Sequence, residues 1–194
     1  MNRTYTNLSK TISYALRHNP GAFGLTLDSA GWVEVMDLLN AVNKDSTRAA
    51  TVSDLWYIID HSEKKRFEID GSRIRDTYGH SVAEKIDLGE PTVPPDTLFH
   101  GTAAETFYLH IETEGLKPMN RQMVHLSTDV ATARKVALRH SGRIVLIAID
   151  AKRMWQDGIK FYRTANDGTW LCDSVDCKYF VETEYYNHQG ENTK

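Results

Sequence analysis

Apolar residues recur at helical spacing over the first sixty residues and then alternate with polar ones. The first predicted helix has its apolar face at Leu8, Ile12, Ala15 and Leu16. Thr6 and Asn7 are suitable N-terminal caps, and "NPG" at 19–21 is a stop signal. Two more helical patterns follow, one at Val35, Met36 and Leu39 and the other at Val52, Leu55, Ile58 and Ile59. Thr51 or Ser53 is the predicted cap of the third helix.

After the third helix the hydrophobic period changes to two. Phe67 and Ile69 alternate with charged residues, "DG" at 70–71 predicts a turn, and Ile74 lies on the return strand. Three helices followed by a hairpin are the order of a winged-helix domain, a frequent nucleic-acid module. That order alone does not fix a function.

The stretch "GEPTVPPDT" at 89–97 predicts a connection between two domains. Beyond it, the candidate strands are "TLFHGT", "VHLST", "RIVLIAID" and "KYFVET". Helices are predicted near 103–114 and 129–140, and "NDG" at 166–168 predicts another hairpin. The predicted fold class is therefore α+β, with a mixed or antiparallel sheet in the second half.

Composition narrows the function classes. The net charge is −3, so a polyanion must be held by a local cluster of arginines and not by the overall field. The longest apolar run, 144–149, is too short to cross a bilayer, and the first ten residues lack the apolar core of a signal peptide. Cys172 and Cys177 fit neither a common zinc pattern nor a disulfide framework. These features predict a cytoplasmic monomer or small oligomer with reduced thiols.

Basic residues recur at the ends of predicted elements in the first half. Arg17 and His18 end the first helix, where the helix dipole favours cations, so capping is the alternative to a functional role. The charge run at 64–70 carries Lys64, Lys65 and Arg66 into the hairpin. Such a run is either a solvated face or a set of phosphate ligands. In the predicted turn "YGHS", His80 and Ser81 either bind phosphate or close the turn.

"FHGT" at 99–102 ends a candidate strand and leads into a helix. Gly101 lets the backbone approach a ligand closely, while His100 and Thr102 offer hydrogen bonds to sugar hydroxyls or to an amide. A histidine bonded to a neighbouring carbonyl is the alternative.

"RQMVHLS" at 121–127 sets an arginine four residues before a histidine. An extended chain puts Met123, His125 and Ser127 on one face and Val124 and Leu126 on the other. This pattern predicts either a strand that lines a cleft or an edge strand facing water. Arg121 precedes it.

The common catalytic fingerprints are absent from the sequence. We find no P-loop, no Rossmann dinucleotide motif, no zinc quartet and no Ser-His-Asp order. Guanidinium groups hold phosphate bidentately and stay protonated. The recurrence of arginine and histidine therefore predicts a phosphate-handling site without a metal.

Seven segments, in this order, resemble the successive motifs of the RNA 2′-phosphotransferases (KptA type). They are "LSKTISYALRHNP", "GWVEVMDLL", "KKRFEI", "IRDTYGHS", "LFHGT", "GLKPMNRQMVHLS" and "TARKVALRH". The resemblance runs from about residue 8 to residue 181. It departs at Asp76 and Tyr78, where members commonly have "IRAxQGHS", and at "VDCKYF" (175–180), where a "VPPKY"-like segment is usual.

The resemblance implies a winged-helix RNA-binding lobe, 1–92, followed by an NAD-binding lobe of the ADP-ribosyltransferase fold, 93–194. The implied catalytic set is Arg17, His18, Arg66 and Arg121. The implied NAD contacts are His100, Gly101, Thr102, His125 and Ser127. Lys64, His80 and Ser81 are expected to bind the RNA phosphate.

The resemblance also implies the reaction, in which an internal 2′-phosphate of the tRNA splice-junction type is removed and NAD is consumed. The RNA phosphate attacks the anomeric carbon of the nicotinamide riboside, which gives an ADP-ribosylated RNA, and a ribose hydroxyl then attacks phosphorus. The products are 2′-hydroxyl RNA, nicotinamide and ADP-ribose 1″,2″-cyclic phosphate. The implied partner is RNA and not a membrane, with no metal cofactor and a monomeric protein.

Two other functions stay open. One is an ADP-ribosyltransferase that acts on terminal nucleic-acid phosphates or on another acceptor. The kind of phosphorylated RNA that the protein consumes would distinguish this function. The other is a non-catalytic winged-helix regulator, which predicts no release of nicotinamide.

Overall fold

In the computed structural model the chain divides into two units, Met1–Gly89 and Glu90–Lys194. The structure describes residues 3–44, 49–63, 65–139, 142–165 and 168–187. Within the described residues, no helix is long and apolar enough to cross a membrane. The mixed helix and sheet content confirms the predicted α+β class.

The first unit contains three helices and a three-stranded sheet. The helices are α1 (Arg3–Arg17), α2 (Val35–Asn43) and α3 (Val52–His61), and the strands are β1 (Trp32–Glu34), β2 (Phe67–Asp70) and β3 (Arg73–Asp76). A 3₁₀ turn, Pro20–Phe23, follows α1. The core of this unit contains Ile12, Ala15, Leu16, Leu38, Leu55, Ile58 and Ile74, all nearly inaccessible to solvent.

The helix ends follow from local side-chain hydrogen bonds. Thr51 caps α3 in a capping box with Asp54, as the sequence predicted for one of its two candidate residues. The predicted cap of α1 was wrong, because α1 is helical from Arg3 and so includes Thr6 and Asn7. In α2, Leu38 is buried in place of Met36, which is 59% exposed.

The hairpin prediction is confirmed, with Gly71 at positive φ in the turn between β2 and β3. Phe67 pairs with Asp76 and Asp70 with Arg73 in an antiparallel register. β1, which the sequence did not predict, adds to the other side of β3. The strand order is therefore β1-β3-β2, and β3 is central.

The second unit contains a six-stranded sheet in the order β7-β8-β5-β4-β6-β9, with every described pair antiparallel. The strands are β4 (Thr97–Ala103), β5 (Val124–Ser127), β6 (Ile144–Asp150), β7 (Tyr162–Arg163), β8 (Thr169–Cys172) and β9 (Phe180–Tyr186). The helices are α4 (Ala104–Thr106), α5 (Glu112–Glu114), α6 (Val130–Ala137) and α7 (Ala151–Gln156). A π-helical stretch, Phe107–Ile111, joins α4 to α5, and a 3₁₀ turn, Cys177–Tyr179, precedes β9.

Two apolar layers cover this sheet. The larger contains Leu98, Phe107, Val124, Leu126, Val145, Ile147 and Phe161. The smaller forms where α6 packs on the sheet and contains Ala133, Ala137, Ile144 and Leu146. The four predicted strands and both predicted helical regions are present. The predicted turn at 166–168 includes Asn166 and Asp167, which lie outside the described residues, although β7 and β8 on either side pair as a hairpin.

The sheet opens between β4 and β5. Within the described residues these strands pair only at Phe99 and Ser127, whereas β4 pairs with β6 along its whole length. The remainder of β4, from His100 onward, therefore diverges from β5. This divergence determines where the candidate ligand-binding residues of the second unit lie.

Candidate active site

Arg17 is the last residue of α1, and His18 follows it directly. The helix ends here because Asn19 leaves the helical conformation and its side chain accepts a hydrogen bond from the Ala22 N–H, which begins the 3₁₀ turn. The Arg17 side chain is only 14% exposed. Its Nε lies 2.6 Å from Oδ2 of Asp76, whose side chain is fully buried.

Residues 76–81, which follow the central strand β3, wrap around the end of α1. The Tyr78 ring centroid lies 4.7 Å from Cζ of Arg17, within the range of a cation–π contact. Gly79 has φ +85°, and a Cβ atom there would lie 3.3 Å from Nη1 of Arg17. Glycine at this position therefore allows the backbone to pass close to the guanidinium. The Ser81 N–H donates to the Arg17 carbonyl at 3.0 Å.

His18 is held by the same 76–81 segment. Its Nδ1 shares a hydrogen bond with the Ser81 hydroxyl at 2.8 Å, and both residues are exposed. This bond fixes the orientation of the imidazole relative to the segment. The sequence left Ser81 as either a phosphate ligand or a turn residue, and the structure shows that it contacts His18.

Arg66 is fixed through its backbone. The Arg66 carbonyl accepts from the Thr77 N–H at 2.8 Å and from the Thr77 hydroxyl at 3.2 Å. A cavity of about 390 Å³ is lined by Thr6, Ser9, Lys10, Ser13, Tyr14, Arg17, His18 and Arg66. Three of the four predicted catalytic residues thus surround one cavity in the first unit.

The two other predicted phosphate ligands of this unit differ in what the structure shows. Lys64 lies outside the described residues. His80 is buried, and burial lowers its pKa to about 4, with further contributions from the charges of Arg17, His18 and Arg75. His80 is therefore neutral near pH 7. Its contact with the RNA phosphate stays a prediction.

In the second unit, His100 bridges the opening of the sheet. Its Nδ1 lies 3.1 Å from the His125 carbonyl, which can only accept, so Nδ1 carries the proton. This is the alternative that the sequence left open for a strand-end histidine. It is compatible with a ligand contact, because a neutral ring protonated at Nδ1 presents Nε2 as an acceptor.

Close packing requires glycine at position 101, which the sequence did not reveal. A Cβ atom at this position would lie 2.2 Å from the Ala133 carbonyl oxygen and 3.0 Å from Cβ of Ala137. Helix α6 therefore lies directly on the backbone of β4. The neighbouring Thr102 is buried, with 6% of its surface exposed.

The two faces of β5 are as the sequence predicted. Val124 and Leu126 are buried in the larger apolar layer, which leaves His125 and Ser127 on the other face. The His125 Nδ1 donates to the Met123 carbonyl at 3.0 Å, so the imidazole turns back onto its own strand. This bond fixes the tautomer in the same way as in His100.

Arg121 lies in the loop before β5 and is exposed. Its N–H closes a turn onto the Pro118 carbonyl at 3.0 Å. Met119 in that turn has φ +55°, a left-handed conformation that costs a methionine about 1 kcal/mol. The backbone of the loop is therefore constrained immediately before Arg121.

The residues of the two units suit different chemical partners. The first unit presents two guanidinium groups and an imidazole around one cavity, which suits a phosphate. The second presents histidine and hydroxyl side chains along the open edges of β4 and β5, which suits a ligand rich in hydroxyl groups. Among the residues described, no three His, Cys, Asp or Glu side chains come together as metal ligands.

A family model described as RNA 2′-phosphotransferase, Tpt1/KptA family, matches residues 3–174. The chain belongs to this family. Its relatives include a protein of Agrobacterium fabrum that is named a probable RNA 2′-phosphotransferase. It is 49% identical over 179 residues, which are 91% of this chain and 93% of that protein. Another, from Acetivibrio thermocellus, is 43% identical over 90% of this chain and 95% of its own length. A third, from Acaryochloris marina, is 40% identical over 95% of this chain and its whole length.

Two residues beside Arg17 were not predicted to belong to the candidate site. Asp76 and Tyr78 were noted only as departures from the family pattern, and both contact Arg17. One signal was available for Asp76. It stands two residues after the buried Ile74 on one strand, so alternation directs its carboxylate inward, where a charge requires a partner.

Proposed function

We propose that this protein is an enzyme that removes an internal 2′-phosphate from RNA by transferring it to NAD. The observation that carries the proposal is the arrangement of Arg17, His18 and Arg66 around one cavity, all three held by residues 76–81. The names of the relatives, probable RNA 2′-phosphotransferases, support the same reaction.

We infer a winged-helix lobe for RNA and an ADP-ribosyltransferase-like lobe for NAD. Three helices with a small antiparallel sheet support the first assignment. A six-stranded sheet that opens between two strands bearing histidine and hydroxyl side chains supports the second. Fold type by itself carries no activity, so the side chains of the sites carry the proposal.

NAD is the second substrate in this proposal. His100, Gly101, Thr102, His125 and Ser127 bind it. The residues fit such a ligand, because His100 and His125 are polar side chains whose Nδ1 atoms donate to backbone carbonyls, which fixes the orientation of both imidazoles. Hydroxyl groups at Thr102 and Ser127 add donors beside them.

In the first proposed step, a phosphate oxygen of the RNA attacks the anomeric carbon of the nicotinamide riboside. The carbon–nitrogen bond breaks, and its electron pair goes to the pyridinium nitrogen, so nicotinamide leaves neutral. A phosphate monoester is anionic at neutral pH and needs no general base. Arg17 and Arg66 orient the phosphate and offset the repulsion between two anionic substrates, and Arg121 completes the set.

In the second proposed step, the adjacent ribose hydroxyl of the ADP-ribosylated RNA attacks phosphorus. The phosphorus–oxygen bond to the RNA breaks, the attacking hydroxyl loses its proton, and the RNA 2′-oxygen gains one. Negative charge builds on the phosphoryl oxygens, where guanidinium groups stabilise it most. His18, oriented by Ser81, transfers the proton or adds a phosphate contact.

The identity of the RNA and its further contacts belong to the same proposal. We assign Lys64 and Ser81 to the neighbourhood of the RNA phosphate, and the neutral His80 to the support of the 76–81 segment. We propose tRNA as the RNA, a monomer as the active form and the cytoplasm as the location.

The test is incubation of the protein with NAD and an oligonucleotide that bears one internal 2′-phosphate. We expect nicotinamide, ADP-ribose 1″,2″-cyclic phosphate and the 2′-hydroxyl oligonucleotide. A matched oligonucleotide with only a terminal phosphate distinguishes the related ADP-ribosyltransferase reaction, since ADP-ribose would then remain attached to the terminus.

Two controls sharpen this experiment. The reaction should stop without NAD and continue with a chelator, because guanidinium groups perform the charge stabilisation assigned to metals in other phosphoryl transfers. Arg17→Ala should lower the turnover rate by about 10²–10³-fold and leave a measurable residual rate, whereas Arg73→Ala, which alters an exposed arginine of β3, should not lower it. Loss of turnover in chelator, or turnover without NAD, would contradict the proposal.

A further inference from the structure

We propose that Asp76 and Tyr78 are positioning residues that hold the Arg17 guanidinium in the orientation required by the RNA phosphate. The inference rests on the proposed function, because it assigns Arg17 to that phosphate. Neither residue lines the cavity that Arg17, His18 and Arg66 share. Both therefore act through Arg17.

Asp76 is a buried counter-ion of the Arg17 guanidinium. Oδ2 of this fully buried carboxylate lies 2.6 Å from Nε of Arg17. Removal of one partner from a buried ion pair leaves the other charge uncompensated, so the pair holds the two groups together. Burial raises the pKa of Asp76, and Arg17 is the foremost of the groups that oppose this rise, so each charge depends on the other.

Asp76 is itself anchored in the sheet. It is the last residue of the central strand β3 and pairs with Phe67 of β2. Its side chain also accepts from the Tyr78 N–H, so the carboxylate organises the beginning of the 76–81 segment. The sheet therefore helps to fix the position of the Arg17 guanidinium, in addition to the end of α1.

Tyr78 fixes the guanidinium from its face. The ring centroid is 4.7 Å from Cζ, and Gly79 allows the backbone to follow closely beside Nη1. An ion pair at Nε and a ring close to Cζ are two separate contacts, and together they restrict the orientation of the planar guanidinium. Arg17 also lines the cavity, so the guanidinium that Asp76 and Tyr78 contact is the one that we assign to the phosphate.

The charge of Asp76 makes the inference specific. A carboxylate beside an anionic ligand does not increase the attraction of the site for phosphate, so removing it should not weaken RNA binding by electrostatics. Its contribution is orientation, which affects the rate of reaction of bound RNA. A residue that merely stabilised the fold would not separate these two quantities.

The experiment measures single-turnover rates at saturating RNA, and separately the affinity for the 2′-phosphorylated oligonucleotide. Asp76→Ala should lower the rate on the order of 10–100-fold with no loss of affinity. Asp76→Asn should lower it less, because asparagine keeps the size of the side chain and a polar oxygen beside Nε and removes only the charge. Tyr78→Phe should retain the rate, and Tyr78→Leu should lose part of it, because only phenylalanine keeps the ring face.

A double-mutant cycle provides the decisive comparison. In an Arg17→Ala background, Asp76→Ala should cause no further loss, because its effect passes through Arg17. Glu68→Gln is the matched control, since Glu68 pairs with Arg75 at 2.8 Å elsewhere in the same sheet. This variant should leave the rate unchanged in both backgrounds.

The outcomes separate this inference from the proposed function. If the unaltered protein forms no cyclic phosphate, the proposed function fails and the inference fails with it. If the unaltered protein is active but Asp76→Ala costs the same factor with and without Arg17, or weakens affinity alone, only the inference fails. Should Asp76→Ala not fold, Asp76→Asn in the same cycle gives the answer, and an unchanged rate in that variant overturns the inference.

Discussion

Ser81 contacts two consecutive residues at the end of α1: its hydroxyl is 2.8 Å from Nδ1 of His18, and its N–H donates to the Arg17 carbonyl at 3.0 Å. The last carbonyls of a helix have no partner within the helix, so the backbone bond completes α1. The side-chain bond orients the imidazole. One residue thus completes the end of the helix and orients the neighbouring imidazole.

Ser81→Ala should therefore slow turnover while leaving the fold intact. A hydrogen bond of this kind contributes about 1 kcal/mol, which corresponds to roughly a fivefold loss in rate if the bond orients His18. We expect the same variant to have no effect in a His18→Ala background. Ser72→Ala, in the exposed β2–β3 turn, is the control and should retain full activity.

Arg66→Ala should slow the second step more than the first. The phosphate nucleophile of the first step is strong without help, whereas attack on phosphorus builds charge that a guanidinium must disperse. Loss of one such donor costs about 10²–10³ in rate where charge develops. A gel of a single-turnover reaction with labelled oligonucleotide should show a slower-migrating ADP-ribosylated RNA.

Lys65→Ala is the neighbouring control for Arg66, because Lys65 is exposed and does not line the cavity. It should give the unaltered time course. If Arg66→Ala abolishes all turnover at saturating RNA and no slower species forms, Arg66 acts before or during the first step instead.

Gly101→Ala should destabilise the second unit even without any ligand. The added Cβ would lie 2.2 Å from the Ala133 carbonyl, so α6 or β4 must shift. Overpacking of this kind typically lowers the free energy of unfolding by about 1–3 kcal/mol, and denaturant unfolding measures this loss. Gly21→Ala is the matched control, because a Cβ there meets nothing within 4 Å. Equal stability of the two variants would refute the close approach of α6.

Stability should fall as the pH is lowered from about 6.5 to about 4. His80 has a pKa lowered to about 4 in the folded chain, so in this window the unfolded chain binds a proton that the folded chain does not. Stability therefore rises with pH, and the contribution of this group is about 3 kcal/mol across the window. His80→Gln should flatten this part of the stability profile, whereas His61→Gln, at an exposed position, should not.

Short oligonucleotides of different sequence should react at similar rates if each bears an internal 2′-phosphate. The net charge of −3 and the local arginine pair favour contacts to phosphate over contacts to bases. Comparison of kcat/KM for two oligonucleotides that differ only beside the junction tests this. A strict requirement for one base, or for an intact folded tRNA, would contradict it.

Local patterns in the sequence were sufficient for most secondary structure. Thr51, one of the two predicted caps, is where α3 begins, and the alternation of Phe67, Ile69 and Ile74 predicted the hairpin. These features depend on neighbours a few residues apart, so the sequence records them directly. β1 was missed, because its three residues, Trp32–Glu34, are too few to establish a period of two.

Side-chain orientation was predicted where burial alternates and missed where packing decides. The faces of β5 were correct, because Val124 and Leu126 must be buried. Met36 was assigned to the buried face of α2, but the packing of that helix buries Leu38 in its place. The spacing of apolar residues predicts an apolar stripe along a helix. The neighbouring elements determine which residue lies at the centre of that stripe.

The sequence alone determined the family resemblance, the α+β class and the residue types of the candidate site, because each is recorded in local pattern and motif order. Only the tertiary structure decided how those residues are held. Arg17 and Asp76 are 59 positions apart in the chain and 2.6 Å apart in space, and no periodicity connects them. Likewise, the packing of α6 on Gly101 and the neutrality of His80 arise from burial by distant segments. Contacts between residues far apart in sequence depend on how the elements pack, and so they follow from the fold and not from the spacing of residues.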